Sequence, residues 1–117
     1  MELTTFNEEK YHIIAIDGEL DASSALKLDD TIEQAIQQGQ KSLLFDCEKL
    51  HYISSPGIGV FTSRIDDHEQ NKISLVLYGM NDKVFNVFKI LGLDKILPIV
   101  NSKAEAKKLI DGALNKD

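Results

Sequence analysis

The chain has 117 residues, a hydrophobic share of 43% and a formal net charge of −6, which fits one domain, 1–117, with enough apolar material for a core. The acidic balance argues against nucleic acid and anionic membrane as partners, since both select clustered Lys and Arg. The lone cysteine, Cys47, excludes an internal disulfide and a cysteine-rich metal site, and with no basic-then-apolar leader and no apolar run near the roughly 18 residues of a membrane span, a soluble cytoplasmic protein is expected.

Residues 2–6 read as an edge strand, and Asn7-Glu8-Glu9-Lys10 as a polar turn into a stronger, Ile-rich strand at 11–16. Asp17-Gly18-Glu19-Leu20-Asp21 reads as a further turn, ending in an N-cap, Asp21. Ala25, Leu28, Ile32, Ala35 and Ile36 then recur at helical spacing, and Gly39 suits the stop. A strand over 41–46 contains the unbroken apolar run Leu43-Leu44-Phe45, the pattern of a buried parallel strand.

The stretch 46–61 organises the rest. The spacing predicts a loop over 46–57 and a helix from Pro56 to about 71, with Ser55 as N-cap and Pro56 as its first residue. Gly57 and Gly59 in the first turn lower helix propensity by about 1 kcal/mol each relative to Ala, which a sequence tolerates where backbone must approach something closely. Ile58, Phe61 and Ile65 share one face, while Arg64, Asp66, Asp67, Glu69 and Gln70 stay polar.

Residues 73–78 form the next apolar strand. Asn81 caps a helix with Val84, Val87, Phe88 and Leu91 inward, and Gly92 suits a left-handed stop. A last strand over 95–100 is confined to an edge by Pro98. Ser102-Lys103-Ala104-Glu105 is a capping box, followed by Ala106, Leu109, Ile110 and Ala113 on one face. The order ββαβαβαβα implies an α/β fold: a mixed, mostly parallel sheet of four or five strands, with about four helices packed mainly on one side. In such sheets partners meet the loops at the carboxyl ends of parallel strands, where 46–57 lies.

Three landmarks together resemble the STAS domain, the module of anti-sigma-factor antagonists and sulfate transporters. They are Gly18-Glu19-Leu20-Asp21, Tyr52-Ile53-Ser54-Ser55-Pro56-Gly57-Ile58-Gly59, and Val84-Phe85-Asn86-Val87-Phe88-Lys89-Ile90-Leu91-Gly92-Leu93. The resemblance covers nearly the whole chain and implies a partner switch. A dephosphorylated antagonist binds an anti-sigma factor that is also a serine kinase; phosphorylation of one serine ends the complex, and a serine phosphatase resets it. Placed on the family pattern Asp-Ser-Ser/Thr-Gly-Leu-Gly, Ser55 takes the phosphorylated position. Ser54 stands where Asp is usual and Pro56 where a second Ser or Thr is usual, while Gly57-Ile58-Gly59 keeps the glycines. The implied partner-binding residues are Asp21, Ser54, Ser55, Pro56, Gly57 and Gly59, with no cofactor.

The residues by themselves leave other readings open. Ser55 is also a plain helix cap, and Asp21 the cap of its own helix. A STAS scaffold without a switch, working inside a signalling assembly, uses the same face. A small hydrolase pairing Ser55 with His51, or a nucleotide site at Gly57-x-Gly59, is the third reading. The chain has no Gly-x-Ser-x-Gly elbow, no third glycine and no zinc spacing. Cys47, following a buried strand, is expected to be an inert buried thiol, and Phe85, off the buried stripe of its helix, to be exposed.

Overall fold

The computed structural model describes residues 1–65 and 72–114, with side chains to residue 112. In chain order the elements are β1 (Glu2–Glu8), β2 (Tyr11–Leu20), α1 (Ala22–Gln37), β3 (Ser42–Ile53), α2 (Ser55–Ser63), β4 (Ser74–Tyr78) and α3 (Asp82–Ile90). A 3-10 turn (Leu93–Lys95), β5 (Ile99–Val100) and α4 (Lys103–Leu114) follow. The sheet has five strands in the order β1-β2-β3-β4-β5. The β1–β2 pair is antiparallel and the other pairs are parallel.

Because every parallel strand lies beside its predecessor, successive crossovers of one hand pile their helices on one face. There Ile14, Ile16, Leu43, Phe45, Leu75 and Leu77 meet Leu28 and Ile32 of α1, Ile58 and Phe61 of α2, and Val84 and Phe88 of α3. Phe61 packs edge-on to Phe45, with ring centroids 5.2 Å apart, and tilted against Phe88 at 6.2 Å. No strand follows β5 among the described residues, so α4 returns across the other face. There Ala106 and Ile110 cover Tyr11, Ile13, Leu44, Val76 and Tyr78. The expected α/β architecture, with helices mainly on one side, is the one observed.

Several boundaries differ from the sequence reading. The hairpin turn is only Glu9-Lys10, with Glu9 at φ 58°. The stretch 17–20 is not a turn: it continues β2, pairing Asp17 with Lys49, Gly18 with Leu50, Glu19 with Tyr52 and Leu20 with Ile53. Likewise 46–53 is strand and not loop. Two register shifts, between Ala15 and Asp17 and between Gly18 and Glu19, with Gly18 at φ 110°, break simple alternation. They still bury Leu20, Leu50 and Ile53. A stretch of Gly and acids looks like a turn in sequence, whereas here it is an irregular strand end held by its neighbour.

The last strand shrinks to Ile99–Val100, because 93–95 coil into the 3-10 turn behind Gly92 at φ 74°. Leu91 and Leu109, expected inside, are 58% and 44% exposed. Leu91 is the C-cap of α3, where the helix leaves the sheet. Ala113 falls outside the described side chains. Helix α2 ends at Ser63; the expected extension over 66–71 lies outside the described residues.

Candidate functional site

The site is built where the ends of β2 and β3 meet the starts of α1 and α2. Leu20 is the last residue of β2, and its carbonyl accepts twice from Ser54: from the amide at 2.9 Å and from the hydroxyl at 3.1 Å. That pairing holds Ser54 extended, at φ −101° and ψ 174°. The Ser54 carbonyl then accepts from the Ile58 amide at 2.9 Å, the first bond of the helix. The assignment of Ser55 as N-cap is therefore corrected by one residue. Ser54 is the N-cap, Ser55 the first helical residue and Pro56 the second. The cap forms without the usual side-chain bond, because the Ser54 hydroxyl is turned to Leu20.

Ser55 and Pro56 are both exposed. No hydrogen bond ties the Ser55 hydroxyl to the described residues, so it stands free at the tip of the sheet. The first turn of α2 holds no acidic residue. Its unpaired amides and dipole therefore present a positive end beside that hydroxyl. A phosphate there would meet favourable electrostatics without any change of fold.

The two glycines divide. Gly57 is buried, and a Cβ on it would stand 2.8 Å from Leu20 Cγ, 2.9 Å from the Leu20 carbonyl oxygen and 3.0 Å from Ile53 Cγ1. It lets the helix seat on the strand ends rather than offering a surface. Gly59 is exposed and has nothing within 4 Å of its would-be Cβ, so close approach within this chain does not explain it. Pro56, Gly59, Val60 and Ser63 form one wall of a shallow groove of about 300 Å³. The other wall is α1, through Ala25, Leu26 and Asp29.

Asp21 caps α1, as its place in the sequence predicts. One carboxylate oxygen accepts from the amides of Ser23 and Ser24 and from both hydroxyls. In return the Asp21 amide donates to the Ser24 hydroxyl. The Ser23 hydroxyl, then the Ser24 amide and hydroxyl, hold this carboxyl below its usual range. Leu20, its chain neighbour, carries the Ser54 bonds, so Asp21 sits beside the start of α2 while its charge is spent on its own helix.

Two residues at this site escaped the sequence reading. Leu26 is 68% exposed on α1 and lines the groove; it reads as one more residue of an amphipathic helix. Arg64, classed with a polar face, is the buried C-cap of α2. It donates from Nη2 and Nε to Asp29 Oδ1 at 2.8 and 3.1 Å, from Nη2 to the Asp29 carbonyl at 3.1 Å, and from Nη1 to Glu33 Oε1 at 2.9 Å. It braces α2 against α1. Asp29 and Glu33 lie more than 30 residues away, so no local pattern shows the brace.

Cys47 is fully buried, and burial, with Asp46 adding to it, pushes its thiol far above the ordinary range. His51 is exposed on β3, and no hydrogen bond joins it to Ser55. His12 is buried, its Nδ1 2.6 Å from Asn7 Oδ1. His68 lies outside the described residues. Phe85 is half-buried, not exposed, because it lines a groove with Met80, Ile99 and Glu105. Among the described residues no group of three His, Cys, Asp or Glu could hold a metal ion, and no helix is long and apolar enough to cross a membrane.

Known proteins agree with this architecture. The family model for the STAS domain matches residues 5–106. The anti-sigma-B factor antagonist of Listeria monocytogenes is 34% identical over 92 residues, 79% of this chain and 81% of that one. Among solved structures, an anti-sigma factor antagonist from Mycobacterium paratuberculosis superposes with a TM-score of 0.83 at 15% identity, over 94% of this chain and 93% of that one. The Bacillus cell fate determinant SpoIIAA, in its phosphorylated form, superposes with a TM-score of 0.71 at 22% identity, over 93% and 99%. The two structural likenesses show a shared fold.

Proposed function

Since the chain belongs to the STAS domain family, we propose that it acts as an anti-sigma-factor antagonist whose partner binding is switched at Ser55. In the unphosphorylated state the face formed by Ser54, Ser55, Pro56 and Gly59, with the start of α1 at Asp21, binds an anti-sigma factor that is also a serine kinase. Gly57 contributes from below, by letting that face sit close on the sheet. Transfer of phosphate to the Ser55 hydroxyl ends the complex, and a serine phosphatase restores it. The role is that of a regulatory binding module, not an enzyme, working in the cytoplasm without a cofactor.

The observation that carries this reading is the free, exposed Ser55 hydroxyl on the first residue of α2. The neighbouring Ser54 hydroxyl is committed to the Leu20 carbonyl. A phosphate adds roughly −1.5 to −2 charges and three acceptor oxygens. The helix N-terminus accommodates that charge within the domain, while a partner packed on the same surface meets bulk and repulsion. The switch therefore acts at the interface. The 34% identity to a Listeria anti-sigma-B factor antagonist supports the choice of partner class.

The test is incubation with a cognate anti-sigma kinase and ATP, phosphosite mapping by mass spectrometry, and titration calorimetry of each form. Phosphate is expected on Ser55, none on Ser55→Ala, and Ser55→Ala is expected to keep its affinity. Phosphate confined to Ser54, or absent while binding persists, removes the switch.

In that event the second reading takes over: an unswitched STAS scaffold within a signalling assembly. Pro56 favours it, because it stiffens the start of α2 and removes one amide from the turn that would receive the phosphate. Kinase treatment separates the two readings, since it places phosphate on Ser55 and lowers partner affinity only where the switch exists, whereas a charge introduced by Ser55→Asp would weaken binding through this face in either case.

A further inference from the structure

The two edges of the sheet are unequal. β5 is two residues long and follows Pro98, which has no amide to give a further strand. β1 is seven residues long and pairs with β2 without a register break. It has no proline, lysine or bulge, and of the devices that ordinarily keep free edges from pairing it carries only the charges of Glu2 and Glu8 at its two ends. Among the described residues no strand flanks its outer side.

The two-residue connection Glu9-Lys10 closes on the Glu8–Tyr11 pair. In a hairpin that tight the closing pair is a hydrogen-bonded one. By alternation, Glu2, Thr4, Phe6 and Glu8 bond to β2, while Leu3, Thr5 and Asn7 turn their amides and carbonyls outward.

We propose that β1 is a self-association edge: two copies pair their β1 strands antiparallel about a two-fold axis at Thr5, joining two sheets into one. In that register Thr5 meets its own counterpart and Leu3 meets Asn7, so all three outward residues exchange backbone bonds. Phe6, 42% exposed, lies against Thr4, an aromatic–β-branched pair of the kind that stabilises sheets. Glu2 falls opposite Glu8, and two facing carboxylates alone would repel. Glu8, however, is ion-paired with both Lys103 and Lys107 of α4, and Lys103 also stands 5.8 Å from the centre of the Phe6 ring. The arriving Glu2 thus enters a site with two lysines, of which Lys107 also reaches the exposed Glu9 at 3.4 Å, so Lys103 is the cation that offsets it.

The occupant is a second copy because the edge complements itself in backbone register under one two-fold operation, with Lys103 of each copy facing the Glu2 that the other brings. A single ladder buries less than the roughly 1,200 Å² of stable complexes, so the pairing is weak and depends on concentration. This reading is independent of the switch: β2 lies between the edge and β3, which leads to Ser55.

The test is analytical ultracentrifugation of the wild type from about 10 μM to about 1 mM, the range of weak association. The weight-average mass is expected to rise towards twice the monomer value. Thr5→Pro removes an amide that serves only the outer ladder, and Thr5→Lys places two ammonium groups at the axis. Circular dichroism identifies the folded variants; Thr5 is exposed, so Thr5→Lys is expected to fold even if Thr5→Pro does not. Each folded variant should raise the dissociation constant at least tenfold. A wild type that stays monomeric throughout overturns the proposal, and so does folded Thr5→Lys associating as tightly as wild type.

Discussion

Replacing Gly57 and Gly59 by alanine, one at a time, should move stability in opposite directions, although the two glycines share one turn of α2. In both variants the helix gains intrinsic propensity, about 1 kcal/mol per Gly→Ala. At position 57 the new methyl would lie 2.9 Å from the Leu20 carbonyl oxygen and 2.8 Å from Leu20 Cγ. The side chain has some freedom to turn. The carbonyl has little, because it accepts both Ser54 bonds. Overpacking of this kind costs about 1–3 kcal/mol, and a backbone neighbour places it in the upper part of that range. The net expectation is a loss of about 1–2 kcal/mol, or roughly 5–10 °C in melting temperature for a domain of this size. At position 59 no atom is near, so the propensity gain survives as about 0.5–1 kcal/mol. Thermal and urea unfolding, followed by circular dichroism, reads both. If Gly57→Ala melts at or above wild type, the close seating of α2 on Leu20 is wrong.

Further outcomes follow from the same site. Ser55→Ala should leave the melting temperature unchanged, since Ser54 begins the helix, whereas Ser54→Ala loses its bond to the Leu20 carbonyl and about 0.5–1.5 kcal/mol; equal effects of the two would return the cap to Ser55. Native Cys47 should resist an aromatic disulfide reagent and react only in denaturant, because its thiol is fully buried; rapid native labelling contradicts that burial. The Asp21 carboxyl is held below its ordinary value by the bonds from Ser23 and Ser24. Its contribution is therefore present above the unfolded value of about 4 and fades as pH falls through the lower folded value. Asp21→Asn, which still caps, should melt with a shallower decline below about pH 4; an unchanged acid limb shows that Asp21 does not contribute to it.

Local chemistry made much of this protein legible in its sequence. Asp21 and Asn81 are caps because their side chains reach amides two or three residues on, and such reach is visible in a string of letters. The run Leu43-Leu44-Phe45 marks a strand buried on both faces, and Gly92 a left-handed stop, for equally local reasons. The alternation of strands and helices then restricts the sheet to a few arrangements.

Tertiary pairing decided the rest. Residues 17–20 and 46–53 carry the letters of turns, yet they are strand because each is the other's hydrogen-bonding partner some 30 residues away. That pairing carries the Leu20 carbonyl to Ser54, moves the helix start by one residue and leaves Ser55 as the free hydroxyl. The same contact separates Gly57, which must lack a side chain, from Gly59, which has open space around it. The packing of α2 beside α1 likewise buries Arg64 against Asp29 and Glu33, where its neighbours in sequence suggest only a solvated face. Caps and periodicity depend on a few adjacent residues, whereas which carbonyl a serine meets depends on where a distant strand ends.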